Sequence, residues 1–204
     1  RLRRVLRRPV EIAAFASGAG SGFRALLDAF DRGEIRGARF ALLVSDRADA
    51  MAIDLARKRG IATTVIPVPP DGTADAAQIL ALRRAGVEFI VLAGYLKMIG
   101  PLVCRKYRGR ILNIHPALLP KFGGPGMYGK RVHEAVLAAG EKETGATVHW
   151  VDEKYDHGET LLQEKVPVVA GDTVDTLARR VLDAEHRLYP RALAQAIRRV
   201  GGGG

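Results

Sequence analysis

Three polar side chains in this sequence are of the types that assist an acyl-type transfer. Asn113 and His115 end an apolar run and precede Pro116, and Asp156 lies in the short polar segment 155–158. Side chains two positions apart in a strand point to the same face, so the Asn113 amide and the His115 imidazole would converge beside the sheet. An amide donates a neutral hydrogen bond, an imidazole exchanges a proton near pH 7, and a carboxylate can orient that imidazole. The trio predicts acyl-type transfer without a metal ion.

The alternative for Asn113 and His115 is a strand end whose polar groups only cap neighbouring loops. Pro116 holds His115 in an extended conformation, and open α/β sheets place their sites at the carboxyl ends of strands. A long loop rich in glycine and proline, 116–129, follows at once and is typical of functional segments. These features favour catalysis. His149 alternates with apolar neighbours in a strand, so we predict a core or supporting role for it.

A glycine loop between the first strand and the first helix indicates a phosphate site. Its glycines are Gly18, Gly20 and Gly22, and the backbone N–H groups and dipole of a helix N-terminus favour an anion. The spacing is one residue short of the dinucleotide fingerprint, and no lysine stands where a P-loop has one. Asp46, after the second strand, could contact a ribose, but a helix N-terminal cap is the favoured interpretation.

Composition is that of one folded domain. The 204 residues are 48% hydrophobic and 26% charged, and we predict a domain over 10–198 with a basic tail at 1–9 and a flexible tail at 199–204. We find neither an apolar run long enough for a membrane span nor the apolar core of a secretory signal. With the single cysteine, Cys104, interpreted as a packing residue, this predicts a cytoplasmic protein.

The net charge of +10 raises nucleic acid as a partner. The five arginines of the basic tail, together with Arg198 and Arg199, supply most of it, and without them the net charge falls to about +3. No aromatic residues are interleaved in the basic tail to stack on bases. A modest positive excess fits an enzyme of small anionic substrates, and we expect no nucleic-acid partner and no membrane.

Strand and helix patterns alternate through the first half, as in a parallel sheet with crossover helices. We predict an α/β fold: a Rossmann-like, mostly parallel sheet with helices on both faces and an antiparallel C-terminal strand portion. The predicted strands are 10–16, 40–44, 62–67, 89–93, 110–114, 147–151 and 161–168. The predicted helices are 23–30, 48–58, 74–85, one beginning at 101, 131–139 and 173–197.

These residues together resemble the formyltransferase family that uses formyltetrahydrofolate, and within it the branch acting on phosphoribosylglycinamide in purine synthesis. The specific part is the Asn-x-His-Pro block followed by Leu-Leu-Pro, in 112–121. The similarity runs from about residue 10 to residue 197 through the further segments 17–21, 91–99, 145–149 and 184–190.

The resemblance implies a role for each matched residue. It implies Asn113, His115 and Asp156 as the catalytic residues. A cradle for the substrate phosphate is implied at Gly20, Ser21 and Gly22, and a contact with the glycinamide substrate at Glu185. Folate-binding positions are implied at Leu96, Lys97, Met98, Ile99, Val151 and Asp152, within the pocket-lining segments 96–99 and 151–156.

The implied reaction uses 10-formyltetrahydrofolate as co-substrate and no metal, in a monomer or homodimer. The glycinamide amine attacks the formyl carbon, Asn113 and His115 stabilise the developing oxyanion, and Asp156 keeps the imidazole protonated. Two departures limit the transfer of roles. Gly22 stands where the family usually has asparagine, and the loop 122–130 is longer than the common form. The family's arginine before the fourth strand has no counterpart near 71–73.

Three rival functions remain. Formyltetrahydrofolate hydrolases share the trio but carry an extra N-terminal domain, and methionyl-tRNA formyltransferases add a C-terminal one; we expect neither domain here. A non-catalytic module that binds phosphate or RNA through the glycine loop and the arginine tail is the third.

Overall fold

In the part of the chain that the structure describes, seven strands form one mixed sheet. The computed structural model describes residues 8–69, 74–154 and 156–202. The strands are β1 (Val10–Phe15), β2 (Ala38–Ser45), β3 (Ala62–Val65), β4 (Phe89–Leu92), β5 (Ile111–His115), β6 (Glu143–Trp150) and β7 (Thr160–Pro167). Their order in the sheet is β3-β2-β1-β4-β5-β6-β7. The pairs from β3 to β5 are parallel, whereas β5–β6 and β6–β7 are antiparallel.

Within residues 8–69, 74–154 and 156–202, six helices pack around this sheet. They are α1 (Ser21–Asp31), α2 (Met51–Lys58), α3 (Asp75–Arg84), α4 (Pro101–Lys106), α5 (Lys130–Ala138) and α6 (Val174–Gly202). The predicted fold class is confirmed, including the antiparallel C-terminal strands. Among the described residues, no helix is long and apolar enough to cross a membrane.

The sheet is buried on both faces because alternate residues of its central strands join different apolar clusters. In β1, Ile12 and Ala14 belong to one cluster, while Ala13 and Phe15 belong to the other. All four residues of β4 are buried, which explains its uninterrupted apolar sequence. Helices cover each face, and the polar ends of the strands are left to form the site.

The direction of winding reverses between β1 and β4. The chain leaves β1 for β2 and β3 and then returns to place β4 on the other side of β1. At such a switch point the loops after the two strands diverge and leave a crevice at their carboxyl ends. Here those loops are the glycine loop, 16–20, and the segment 93–100.

Several boundaries differ from the sequence-based predictions. β6 begins at Glu143, four residues before the predicted start, because it pairs with β7 along its whole length. α2 begins at Met51 rather than at residue 48. α6 continues to Gly202, beyond the predicted helix end at residue 197. Val200 packs against the core, which explains the continuation. Most of the predicted basic tail, residues 1–7, lies outside the described residues, as do 71–73.

Candidate active site

A cavity of about 760 Å³ opens at the carboxyl ends of β1, β4 and β5. Every site residue predicted from the sequence lines it. The set is Gly20, Ser21, Gly22, Leu96, Lys97, Met98, Ile99, Asn113, His115, Val151, Asp152, Asp156 and Glu185. The fold thus brings the residues together, while their chemical roles stay predictions.

Asn113 and His115 lie on β5 with one residue between them, as the strand periodicity predicts. In the antiparallel register, Asn113 stands opposite His149 and His115 stands opposite Thr147. The Asn113 side-chain nitrogen is 3.2 Å from Nε2 of His149. The amide of Asn113 is therefore held by a neighbouring strand.

The His115 imidazole is buried, with 4% of its surface exposed. Its Nε2–H donates to the carbonyl of Phe122 at 2.7 Å, and its Nδ1 faces Oδ2 of Asp156 at 3.5 Å. Burial lowers the pKa of His115 below its ordinary value of 6.5, and the nearby Asp156 carboxylate only partly opposes this. The two ring nitrogens thus face two acceptors, the Phe122 carbonyl and the Asp156 carboxylate, and the expectation that Asp156 keeps the imidazole protonated stays a prediction.

Asp156 is the carboxylate that joins the two histidines. Its Oδ1 is 3.5 Å from Nε2 of His149, and its Oδ2 accepts a hydrogen bond from the Gly124 N–H at 3.0 Å. Burial alone would raise its pKa, but the two histidines and the Gly124 N–H together lower the pKa of Asp156 below its ordinary value. At neutral pH the group is a carboxylate.

The loop 116–129 holds this arrangement from one side. Phe122, which accepts the His115 hydrogen bond, has φ 56°, and Asp156 has φ 51°. Both lie in the left-handed region, which side chains other than glycine, asparagine and aspartate adopt rarely. A Cβ on Gly123 would meet Leu119 Cδ2 at 2.5 Å and Asp156 Cβ at 3.2 Å. The loop can approach Asp156 because position 123 has no side chain.

The glycine loop leads directly into α1. Gly20 is the N-cap residue with φ 77°, and no side chain caps the helix. The first-turn N–H groups of a helix have no partner inside it, so those of Ser21 and Gly22 are available to an anion at the cavity wall. This geometry fits the predicted phosphate cradle.

An apolar rim lies beside the polar residues. Leu96 is 60% exposed and Met98 39% exposed, although both line the cavity. The backbone N–H of Leu96 donates to Oγ of Ser17 at 2.9 Å, and that hydroxyl donates to Asp46 at 2.6 Å. Asp46 therefore anchors Ser17 and the rim. The prediction that Asp46 caps α2 was wrong, because α2 begins at Met51 without a side-chain cap.

Glu185 projects into the cavity from α6. One turn later, the buried Tyr189 hydroxyl lies 2.8 Å from the Leu92 carbonyl and 3.1 Å from that of Leu112, which fixes α6 against the ends of β4 and β5. Glu185 has no hydrogen bond or ion pair with any described residue, and burial raises its pKa to about 7. A buried carboxyl without a partner can receive a substrate donor.

Sequence reasoning did not single out several polar residues of the cavity. His133 is 5% exposed, and its Nδ1 is buried without a partner. Tyr128 lies in the long loop, Lys130 begins α5, and His186 neighbours Glu185 on α6. A helical or loop position gives no periodic signal of facing a cavity, so only the fold identifies these residues. Within the described ranges, no group of three His, Cys, Asp or Glu could hold a metal ion.

Comparison with known proteins agrees with this architecture. A family model described as formyl transferase matches residues 10–193. The chain belongs to the formyl transferase family. The family predicted from the sequence is thereby confirmed, and its members named below are phosphoribosylglycinamide formyltransferases.

Two curated relatives and one solved structure illustrate the similarity of this formyl transferase. It is 45% identical to the chloroplastic phosphoribosylglycinamide formyltransferase of Arabidopsis thaliana, covering 88% of the chain and 62% of that protein. It is 38% identical to the Escherichia coli phosphoribosylglycinamide formyltransferase, covering 91% of the chain and 86% of the relative. The crystal structure of glycinamide ribonucleotide transformylase 1 from Symbiobacterium toebii has a TM-score of 0.86 at 37% identity, covering 94% and 89% of the two chains.

Proposed function

We propose that this formyl transferase moves the formyl group of 10-formyltetrahydrofolate to the amine of phosphoribosylglycinamide, a step of purine synthesis. One observation carries the proposal. Asn113, His115 and Asp156 line the same cavity as the uncapped N-terminus of α1, in a chain of this family. An oxyanion donor, a proton carrier and a phosphate site are the parts this reaction needs.

Binding of both substrates uses different parts of the cavity. The phosphate of the ribonucleotide accepts hydrogen bonds from the backbone at Gly20, Ser21 and Gly22. The glycinamide amine donates to Glu185, whose pKa of about 7 leaves it partly ionised near neutral pH. Leu96, Met98, Ile99 and Val151 supply apolar surface for the folate, and Lys97 and Asp152 lie beside them.

Asn113 stabilises the tetrahedral intermediate. When the amine nitrogen bonds to the formyl carbon, the carbonyl oxygen becomes an oxyanion, and a preorganised N–H donor lowers the energy of that charge. Removal of one such donor costs about 100- to 1000-fold in kcat. We therefore expect Asn113→Ala to lose activity by that factor with little change in the KM for either substrate.

His115 moves the proton. Its pKa rises as negative charge develops beside it, because the oxyanion and Asp156 both stabilise an imidazolium. The ring can then accept the proton lost by the attacking amine and deliver it to the departing folate nitrogen. In the free protein the Phe122 carbonyl accepts the hydrogen bond of the His115 Nε2–H. This hydrogen bond must be replaced by one to the substrate when substrate binds.

The test is formyl transfer from 10-formyltetrahydrofolate to phosphoribosylglycinamide, followed by the absorbance of the folate product. The parent should turn over, and His115→Ala and Asp156→Asn should be nearly inactive. Asp31→Asn is a matched control, because this aspartate is exposed and pairs with Arg59 on the surface. Folate release without glycinamide would indicate hydrolysis instead, and absence of any folate turnover would reject the enzyme assignment.

Compartment and assembly are the remaining parts of the proposal. We propose a cytoplasmic enzyme, although the Arabidopsis relative is a chloroplastic protein. We also propose a monomer or homodimer, which sedimentation analysis of the purified chain would distinguish.

A further inference from the structure

His149 lies beside both Asn113 and Asp156, with its Nε2 3.2 Å from the Asn113 side-chain nitrogen and 3.5 Å from Oδ1 of Asp156. It is 2% exposed, and it stands on β6 directly opposite Asn113. The register of β6 against β7 shifts between Val148 and His149, so His149 occupies an irregularity of the strand. Such irregularities commonly redirect a side chain beside an active site.

The hydrogen bonds of the ring define its tautomer. Nδ1 of His149 lies 3.0 Å from the carbonyl oxygen of Trp150. A carbonyl only accepts, so Nδ1 carries a hydrogen. In a neutral imidazole the other nitrogen is then an acceptor. In that neutral tautomer, Nε2 of His149 accepts from the Asn113 side-chain N–H, 3.2 Å away, and makes no hydrogen bond with Oδ1 of Asp156, 3.5 Å away. A hydrogen on Nε2 would instead face that carboxylate.

The Trp150 carbonyl that sets this tautomer is itself held in place. The Trp150 N–H donates to the carbonyl of Glu159 at 2.9 Å, and a Cβ on Gly158 would collide with the Trp150 carbonyl. The close approach of Gly158 leaves the end of β6 little freedom. The acceptor for Nδ1 is thus part of the rigid sheet rather than of a mobile side chain.

This arrangement matters because an asparagine amide can turn over by 180°. In one orientation it presents N–H groups near the cavity, and in the other it presents its carbonyl oxygen, which would repel an oxyanion. An acceptor at Nε2 of His149 stabilises the first orientation and opposes the second. We propose that His149 is a positioning residue that keeps the Asn113 amide in its donating orientation; this inference rests on the proposed formyl transfer.

Two substitutions of His149 test the roles of its two ring nitrogens separately. Glutamine carries its terminal oxygen near the position of Nε2, so His149→Gln retains an acceptor for Asn113. Asparagine has its terminal atoms near the position of Nδ1, so His149→Asn retains a donor for Trp150 and no acceptor for Asn113. We expect His149→Asn to lose about 10- to 100-fold in kcat, less than loss of the oxyanion donor itself, whereas His149→Gln retains most of the parent value. KM should change little in both.

A double-mutant cycle identifies the partner through which His149 acts. If His149 works through Asn113, adding His149→Asn to Asn113→Ala should cause no further loss in kcat. Thr144→Val is the control on the same strand, because its hydroxyl is buried without a partner and the residue does not line the cavity. Thermal unfolding of every variant identifies any that fail to fold.

Nitrogen NMR of the imidazoles reports the tautomer directly, without any need for activity. We expect Nδ1 of His149 to be protonated and Nε2 unprotonated at neutral pH. Equal activity of the glutamine and asparagine variants, additive losses in the cycle, or a protonated Nε2 would each overturn the proposal. A parent chain without formyl transfer would instead refute the proposed function, while the NMR result would still decide the orientation.

Discussion

Substitution of Gly20 by alanine should destabilise the protein, although it adds only one methyl group. Gly20 has φ 77°, and the left-handed region costs an alanine about 1 to 2 kcal/mol. Its Cβ would lie 2.9 Å from Cβ and 3.0 Å from Cα of Ala52, a fully buried residue of α2. Overpacking of this kind costs about 1 to 3 kcal/mol. We therefore expect the free energy of unfolding to fall by about 2 to 5 kcal/mol.

Gly18→Ala is the matched control in the same loop. A Cβ there meets no atom within 4 Å and the residue does not have a positive φ, so its effect should lie within about 0.5 kcal/mol of zero. Urea unfolding measures both variants, and the Tm of Gly20→Ala should fall by roughly 4 to 20 °C. We also expect it to raise the KM for the ribonucleotide, because the first turn of α1 must shift. Equal stability of the two variants would refute the packing argument.

Three further predictions concern Glu185, Gly123 and Cys104. The pKa of Glu185 is about 7, against an ordinary 4.5. The stability that its neutral carboxyl contributes to the folded protein is therefore fully present below pH 4.5 and is lost as the pH rises through 7. Glu185→Gln should therefore become more stable relative to the parent as the pH rises from 5 to 8, by at most about 3 kcal/mol. The same difference in free energy of unfolding between the two proteins at pH 5 and at pH 8 would contradict this. Gly123→Ala should lower kcat more than it raises KM, because the new Cβ would lie 3.2 Å from Cβ of Asp156 and displace that residue. An unchanged kcat would show that the loop moves to accommodate the methyl group instead. Burial raises the pKa of the Cys104 thiol to about 11, so iodoacetamide should label it slowly at pH 8 until denaturant is added, and equally fast labelling of the native protein would disprove its burial.

Local sequence was sufficient for the elements and for the pairing of Asn113 with His115. Both are consequences of short-range geometry: the apolar runs repeat with the period of a strand or a helix, and residues two apart in β5 share a face. The glycine loop was likewise predictable, because a strand, several glycines and a helix follow one another directly. Only the ends of elements were misplaced, as at β6 and α6, where pairing with β7 and packing of Val200 on the core extend them.

The sequence by itself thus determined an α/β chain with an amide and an imidazole on one face of a strand and, through resemblance, its family. Tertiary structure decided which residues surround that pair. Antiparallel pairing sets His149 opposite Asn113, and the loop 116–129 brings the Phe122 carbonyl to His115. Burial by residues distant in sequence also lowers the pKa of His115. Desolvation and cross-strand register depend on the packed neighbours of a residue, which local periodicity does not encode.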